Sequence, residues 1–288
     1  MKYQFIADHR EEFEVMGMCR VLGVSRSGSY AWRQRPVSER EMANQQLTEQ
    51  IKDIHHQSGQ TYGSPRVQAE LADKGVKCGH NRVARLMQQA ELQTKQNYKF
   101  KVSTTDSAHD YPVAPNRLNQ DFRASRANEK WLADITYIPT DEGWLYLAAV
   151  LDLYSRRIVG WAMSDSLHRQ LVLDALHIAL QSRQPPPGLL HHSDRGSQYA
   201  SDDYQALLTK FGMQASMSRK GNCYDNAPME SFFGTFKTEL TFDRDYATRY
   251  EARLDIFEYI EVFYNPYRRH SALGYKSPAN YEALPFVA

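Results

Sequence analysis

Three carboxylates in separate stretches of the chain have the types and spacing that phosphoryl transfer requires. Asp134 interrupts an apolar, strand-like run (residues 130–138), and Asp194 lies where a second predicted strand ends. Thirty-five residues separate Asp194 from Glu230, which comes just after Pro228. Carboxylate oxygens suit Mg²⁺, and two such ions about 3.5–4 Å apart polarise a phosphate and stabilise the attacking and leaving oxygens. We therefore expect these three acids to form one metal site.

Structural roles remain open for two of these acids. Asp194 lies where a strand opens into a loop, so it could form an Asx-turn or cap a helix. Glu230 falls in the first turn of a predicted helix, where the helix dipole favours an acid. Lys237, seven residues after Glu230, would lie two turns along the same helix face and is suited to a phosphate backbone.

A second acid within an apolar run competes with Asp134. An unpaired buried acid is costly, which favours a site role for Asp134. Asp152 also interrupts an apolar run and is the reserve candidate. Pairing of Asp152 with Arg156 or Arg157 is an equally good explanation of its position.

Three motifs around the acids resemble those of the third family of bacterial insertion-sequence transposases. They are WLADITY (131–137), HSDRGSQY (192–199) and NCYDNAPMESFF (222–233), and the likeness continues through residues 263–275, so it covers nearly the whole chain. The resemblance implies an α/β fold with a ribonuclease H-like integrase core, a mixed five-stranded sheet with helices, preceded by an all-α helix-turn-helix region. It also implies the catalytic subunit (the second open reading frame, OrfB) of a DDE transposase.

The same resemblance implies the cofactor and the reaction. Asp134, Asp194 and Glu230 would bind Mg²⁺, two ions with DNA present, and Mn²⁺ would substitute. Metal-dependent cleavage and strand transfer would then occur at the insertion-sequence ends, with water as the first nucleophile and the freed 3′-hydroxyl as the second. Two alternatives stay open: a DNA-binding regulator with an inactive integrase-like core, and a nuclease of the ribonuclease H type.

The expected partners follow from that reaction. DNA is the first, both as the terminal inverted repeats of the element and as the target. The upstream reading-frame product (OrfA), separate or fused, is the second, and a homo-oligomer is expected in the synaptic complex. No membrane partner is expected, because no run reaches the roughly 18 apolar residues of a membrane span and the first 20 residues lack a signal peptide. We expect a cytoplasmic, nucleoid-associated protein.

The distribution of charge along the 288 residues suggests separate DNA-binding and catalytic regions. The net charge is +1, but residues 15–101 contain fourteen Lys and Arg against seven Asp and Glu. A basic region ahead of a more acidic one suits a protein that grips DNA with one part and cuts it with another. The predicted domains are a helix-turn-helix-like region (1–100), a linker (101–127), the catalytic core (128–245) and a C-terminal helical extension of the core (246–288).

Two segments of the N-terminal region have helix-turn-helix character. In residues 15–32, Gly23 would form the turn and Ser25 would cap the second helix, which places Arg26 at the DNA. In residues 62–90, Ser64 would cap the first helix. Arg82 and Arg85 would lie outside the apolar face of the second helix and contact DNA. Simple αα-hairpins are the alternative for both segments.

Five residues of the core are expected at the DNA. They are Lys237, Arg195, Arg219, Lys220 and Asn226. Arg219 and Lys220 lie in a loop ahead of the Glu230 helix and would meet phosphates, although a solvated loop explains them nearly as well.

Periodicity predicts the remaining core elements. Strands at 130–138, 144–154 and 158–163 should form an antiparallel meander. Helices are predicted at 171–182 and 202–211, a strand at 213–217, and a long helix at 250–264. The long helix should bury a stripe of apolar residues, Leu254, Phe257, Ile260 and Val262 or Phe263. The three cysteines (Cys19, Cys78 and Cys223) are too scattered for a disulfide framework or a structural zinc site.

Overall fold

A computed structural model describes residues 1–95 and 110–284 of the chain. Six helices fill the N-terminal part, and their bounds are α1 (Lys2–Asp8), α2 (Val15–Leu22), α3 (Arg26–Gln34), α4 (Glu39–Gln57), α5 (Ser64–Asp73) and α6 (His80–Gln89). The predicted turn at Gly23 is confirmed, because Gly23 takes a left-handed conformation and Ser25 accepts a hydrogen bond from Gly28 N. Gly63, not Ser64 as predicted, is the cap residue of α5.

A five-stranded mixed sheet forms the core, as predicted. Its strands are β1 (Lys130–Ile138), β2 (Leu145–Asp152), β3 (Ile158–Ser164), β4 (Leu190–Ser193) and β5 (Gln214–Met217). They lie in the order β3-β2-β1-β4-β5. The antiparallel meander of β1, β2 and β3 is confirmed, while β4 pairs parallel to both β1 and β5.

Helices cover both faces of this sheet. They are α7 (Arg169–Arg183), α8 (Ser197–Ala200), α9 (Asp202–Lys210), α10 (Ala227–Phe236), α11 (Arg249–Phe257) and α12 (Pro278–Glu282). Successive side chains of a strand point to opposite faces, so the central strand β1 contributes to two cores. Trp131 and Ala133 pack on the α7 side, whereas Leu132 packs with α10.

The contact between α7 and the sheet is unusually close at Gly160. A Cβ added to Gly160 would lie 2.3 Å from the carbonyl oxygen of Ala175 and 2.6 Å from the backbone nitrogen of Ala179. Only glycine therefore fits at this position of β3 with the helix where it is.

The predicted long C-terminal helix is present, but its buried stripe differs from the prediction. It runs as α11 followed by a π-helical segment (Glu258–Tyr264). Ile260 is buried as predicted, and Phe263, the alternative to Val262, packs against the core. Leu254 and Phe257 are about half exposed, so they were wrongly assigned to the core. The inward face of α11 carries Ala252 and Ile256 instead, and Tyr259 and Tyr264 are buried in the π-helical segment.

Residues 110–127 lie along the catalytic core. Leu118 is buried in the α10-side core, and the backbone N–H groups of Arg117 and Leu118 both donate to the Ser216 hydroxyl. The first nine residues of the predicted linker, 101–109, lie outside the described residues, as do 96–100 and 285–288.

The helical N-terminal region is joined to the core by polar contacts. Tyr62 donates its hydroxyl to the carbonyl of Tyr267 at 3.1 Å. Arg269 forms ion pairs with Glu70 and Asp73 of α5. Within the described ranges, no helix is both long and apolar enough to cross a bilayer.

Candidate active site

Asp134 lies in the middle of the sheet, on the face covered by α10. It is two residues beyond Leu132 on β1 and so points to the same side. The parallel pairing of β1 with β4 matches Leu132 to His192. Two residues further along the chain come Asp134, still within β1, and Asp194, just past the end of β4. The register therefore brings the two acids to the same end of β4, where the Asp194 carboxylate acts electrostatically on Asp134.

Asp194 is the first residue after β4, where the chain turns into α8. Its Oδ1 accepts a hydrogen bond from Gly196 N at 2.8 Å. The preceding strand is fixed by His192, whose ring nitrogens lie 2.8 Å and 3.1 Å from the hydroxyls of Ser216 and Ser218. The expected Asx-turn is therefore present, and it orients the carboxylate at the strand end.

Glu230 lies in the first turn of α10, as does Pro228. The helix begins directly after a short 3₁₀ segment. Four hydrophobic residues of the helix are buried in the core: Met229, Phe232, Phe233 and Phe236. Their packing leaves Glu230 exposed, within electrostatic range of Asp134. Asn226, the residue before the helix, donates its side-chain amide to the carbonyl of Ala133 at 3.4 Å.

The electrostatics link the three acids. Burial raises the pKa of the Asp134 carboxyl well above its ordinary range, and the neighbouring Asp194 and Glu230 carboxylates raise it further. A hydrogen bond from Ile135 N and the positive charge of the Lys237 ammonium group lower the pKa of Asp134. Burial also raises the pKa of Glu230. Asp134 thus experiences the negative charge of both partner acids.

The acids are close but do not form a finished cage. Across residues 1–95 and 110–284, no three His, Cys, Asp or Glu side chains converge closely enough to hold a metal ion as they stand. The available donors at this point of the sheet are carboxylate oxygens, which suit a hard divalent cation. Their mutual repulsion is the kind that such a cation relieves.

Asp152, the reserve candidate, has a structural environment. It is fully buried and accepts hydrogen bonds from Asn128 N and Tyr154 N. Its ion-pair partner is Arg183, 3.7 Å away, and not Arg156 or Arg157 as considered from the sequence. Such a carboxylate organises the turns around β2.

The expected DNA contacts of the core fall into two groups. Lys220 is exposed, and Lys237 lies 4.7 Å from the ring centroid of Tyr137 on the Asp134 strand. Three others are engaged within the protein. Arg195 donates to the carbonyl of Ser218, Arg219 pairs with Asp225 at 2.7 Å, and the Asn226 amide is buried.

The three arginines expected at DNA in the N-terminal region also differ in their surroundings. Arg26 is exposed, with its guanidinium 5.6 Å from the Tyr30 ring centroid. Arg82 is held by Asn44 Oδ1 through two hydrogen bonds of 2.8 Å and 3.0 Å. Arg85 is exposed on α6.

Tyr199 is a neighbour of the acids that the sequence reasoning missed. It is 1% exposed, and within the described part of the chain its hydroxyl has no hydrogen-bond partner. Burial raises its pKa well above the ordinary range, with further contributions from Tyr204, Asp134 and Asp194. Its position five residues after Asp194 in the HSDRGSQY motif was the available signal.

The sheet topology and the family matches define an integrase-type polynucleotidyl transferase core. Two family models described as "Integrase core domain" match residues 124–223 and 211–278, and one described as "HTH-like domain" matches residues 42–100. The solved structures with similar folds include a simian T-cell lymphotropic virus intasome (14% identity, 77% of this chain and 72% of that chain, TM-score 0.47). The catalytic core of HTLV-2 integrase in complex with magnesium is also similar (15% identity, 57% and 100%, TM-score 0.41).

Similarity to curated proteins extends over nearly the full length. The chain is 45% identical over 284 residues to the transposase InsF of insertion sequence IS3A from Escherichia coli K12, covering 98% of both proteins. It is 51% identical over 262 residues to a 31 kDa protein of insertion element IS600 from Shigella sonnei, covering 91% of this chain and 96% of that protein. The chain belongs to the IS3-family transposases, as the sequence motifs predicted.

Proposed function

We propose that Asp134, Asp194 and Glu230 together hold divalent cations and that the protein uses them to cut and join DNA at the ends of an insertion sequence. Mg²⁺ is the expected ion, with two bound in the presence of DNA, and Mn²⁺ substitutes for it. When bound, such ions polarise the scissile phosphate and stabilise the attacking and leaving oxygens. Water is the nucleophile for cleavage, and the freed 3′-hydroxyl is the nucleophile for joining.

The observation that carries this proposal is the placement of the three acids on neighbouring elements. Asp134 lies in β1, Asp194 directly follows the adjacent parallel strand β4, and Glu230 lies in α10, which an Asn226–Ala133 hydrogen bond joins to β1. The mutual repulsion of the acids, which raises the pKa of Asp134 further after burial, would be relieved by a bound cation.

The residues of the chain have distinct tasks in this scheme. Asp134 and Asp194 provide a rigid pair, because the β1–β4 register fixes their separation. Glu230 approaches from α10, whose position depends on the Asn226–Ala133 hydrogen bond. The ammonium group of Lys237 lies near Tyr137 of the Asp134 strand. There it would form a charge-assisted hydrogen bond with a phosphodiester next to the one that is cut.

The DNA partners and the domain roles follow from the same proposal. Residues 1–100 would grip DNA through Arg26, Arg82 and Arg85, while Arg195, Arg219 and Lys220 would line the approach to the catalytic core (128–245). Residues 101–127 would connect the two, and 246–288 would extend the core. The terminal inverted repeats, the target DNA, the upstream reading-frame product and further copies of this chain are the proposed partners. A nucleoid-associated, cytoplasmic location suits these partners.

A strand-transfer assay tests the proposal. Oligonucleotide duplexes bearing the element ends are incubated with the full chain, its upstream partner product and Mg²⁺, and cleaved and joined products are measured. Asp134→Asn, Asp194→Asn and Glu230→Gln should each lower both steps about a thousandfold, since several kcal/mol of charge stabilisation are lost and each 1.4 kcal/mol is tenfold.

Asp203→Asn is the matched control, because Asp203 is an exposed acid of α9 that pairs with Arg169. It should leave both steps unchanged. Parent-level joining by any of the three site variants would refute the proposed site. Binding of the DNA ends without any cleavage by the parent protein would instead favour a regulator.

A further inference from the structure

A cavity of about 330 Å³ lies beside the proposed site, on another face of α10. The helical N-terminal region contributes Arg66 to its wall, and the turn between β2 and β3 contributes Arg156. Arg268 and His270, which follow the C-terminal π-helical segment, complete a basic lining. Cavities of this size are typical of ligand sites, and this one combines elements from three parts of the chain.

The guanidinium groups of this cavity outnumber the carboxylates that neutralise them. Arg268 is 3% exposed and forms two hydrogen bonds of 2.7 Å with Glu239. Arg66 lies 3.7 Å from the same carboxylate. Arg156 forms no salt bridge with any residue in the described ranges, although the Asp152 carboxylate acts on it electrostatically and Tyr264 donates to its backbone carbonyl. Among the described residues, Glu239 is thus the one carboxylate in salt-bridge contact with Arg66 and Arg268, and Arg156 has none.

The neighbouring groups show the effect of this excess charge. Burial lowers the pKa of Arg66, and repulsion from Arg268 lowers it further. Burial and then Arg268, Arg66 and Arg156 lower the pKa of His270 to about 2, so its ring is neutral and offers hydrogen bonds without charge. A bound anion would compensate the charge that the protein leaves unbalanced.

The remaining wall is one face of the helix that carries Glu230. Ala227, Pro228, Ser231 and Thr235 line the cavity, so its inner end meets the first turn of α10. The partial positive charge of a helix N-terminus and the Ser231 hydroxyl both suit an anion. Ser231 directly follows Glu230, and consecutive side chains of a helix lie about 100° apart around its axis, so the cavity occupies the face of α10 that adjoins the face of the carboxylate.

We propose that this cavity, lined by Arg66, Arg156, Arg268, His270 and Ser231, binds a backbone phosphate of DNA flanking the phosphodiester that is cut. The inference rests on the proposed function, since it assumes DNA at Asp134, Asp194 and Glu230. A phosphodiester carries one negative charge and non-bridging oxygens that accept hydrogen bonds from the guanidinium forks. The cavity would anchor the strand relative to the α10 carboxylate and so set the position of cleavage.

Arg156→Gln in the full chain is the decisive variant, because Arg156 has no salt bridge within the described residues, and the nearby Asp152 carboxylate keeps Arg183 as its ion-pair partner. The affinity for a fluorescent duplex bearing an element end is measured between about 50 and 200 mM salt without divalent metal. Each phosphate contact contributes about 0.9 to the slope of log affinity against log salt, so the slope should fall by about that amount. Arg156→Lys should restore most of it.

Arg157→Gln is the matched control, because Arg157 lies in the same turn but pairs with Glu282 at 2.9 Å. Its slope should equal that of the parent protein. Equal slopes for Arg156→Gln and the parent would overturn the proposal. If Arg156→Gln does not fold, Arg66→Gln, at another arginine of the same lining, takes its place, and a parental slope in that variant would overturn the proposal. Stabilisation of the parent but not of Arg156→Gln by inorganic phosphate, with no change in the DNA slope, would identify a free-anion site and also overturn it.

The two proposals can fail separately. Affinity without metal does not depend on cleavage, and Asp194→Asn should leave the salt slope unchanged while abolishing strand transfer. An unchanged slope in Arg156→Gln together with an inactive Asp194→Asn would refute the proposed phosphate site and support the proposed metal site. Active strand transfer by Asp194→Asn would refute the proposed metal site, whatever the salt slope of Arg156→Gln.

Discussion

Asn226 donates its side-chain amide to the backbone carbonyl of Ala133, and this 3.4 Å contact joins the residue before α10 to the residue before Asp134. The sheet and the helix that supply the proposed metal ligands are therefore fixed to each other by a buried hydrogen bond. Asn226 was expected from the sequence to contact DNA. We propose that it acts on catalysis through the placement of Glu230.

Asn226→Ala should reduce strand transfer about 10- to 100-fold, the range found when a group that orients a metal ligand is removed. The loss should appear in the single-turnover rate with saturating DNA, because α10 would no longer hold Glu230 at its proper distance from Asp134. Asn222→Ala, four residues earlier in the same loop, is the control and should retain the parent rate. A parent-level rate in Asn226→Ala would show that core packing alone positions the helix.

Asp225 should be a major source of local stability. Its buried carboxylate accepts hydrogen bonds from Asn116, Gln120 and Arg219, and the Arg219 guanidinium is the main cause that holds its pKa below the ordinary 3.8. Asp225→Asn should lower the free energy of unfolding at pH 7 by about 1.5–3 kcal/mol, the usual value for hydrogen bonds to a charged group. Denaturant titration measures this difference.

The stability lost in Asp225→Asn should depend on pH. A carboxyl with a lowered folded-state pKa contributes stability above its unfolded pKa, near 4, and loses it as the pH falls toward the folded value. The stability difference between the parent and Asp225→Asn should therefore narrow below pH 4. Asp203→Asn, at an exposed ion pair, should change stability by less than about 1 kcal/mol at pH 7. A difference that widens in acid would contradict this account.

Glu239 neutralises the most buried arginine of the C-terminal segment. It receives two hydrogen bonds from Arg268 and one from the Tyr259 hydroxyl at 2.8 Å. Glu239→Gln would leave the Arg268 charge buried without a counterion, which typically costs about 3–5 kcal/mol. The exposed Glu258 provides the control, Glu258→Gln, with little expected change in thermal or denaturant unfolding. Equal stability of the two variants would mean that solvent reaches Arg268.

Gly160→Ala should destabilise the core by about 1–3 kcal/mol, since the added methyl group would overlap the backbone of α7 at Ala175 and Ala179. Gly234→Ala is the opposite case. This glycine lies inside α10, and a methyl group added to it would meet no neighbouring atom within 4 Å, so the change should stabilise the helix by about 0.5–1 kcal/mol. Denaturant titration of both variants measures the two changes in the free energy of unfolding. Destabilisation by both would contradict the packing argument.

The sequence predicted the sheet and the helices well because their signals are local. Alternating and continuous apolar runs marked the strands around Asp134 and Asp152, and Gly23 and Ser25 marked a turn and a cap that the structure contains. The inward face of the C-terminal helix was wrong at Leu254 and Phe257, because the prediction followed the large apolar side chains, whereas the small Ala252 and the amphipathic Tyr259 and Tyr264 are the residues that pack inward.

Long-range pairing was less accessible from the sequence. The partner of Asp152 is Arg183, 31 residues away, and neighbouring arginines were the only candidates that local reasoning offered. Arg219 and Asn226 were expected at DNA, and the sequence did not reveal that Arg219 also pairs with Asp225 or that Asn226 bonds the Ala133 carbonyl. Tyr199 was missed because an aromatic residue in a helix normally indicates core packing, and only the fold brings its hydroxyl close to two acids.

The position of bound metal is the sharpest check on the proposed site. Crystals of the full chain with an end duplex would be soaked in Mn²⁺ and measured by anomalous scattering. We expect peaks within about 2–2.5 Å of carboxylate oxygens of Asp134 and Asp194, with Glu230 contacting one of them. Asp194→Asn should lose at least one peak. Manganese bound elsewhere, with the three acids free of metal in an actively joining complex, would contradict the proposed site.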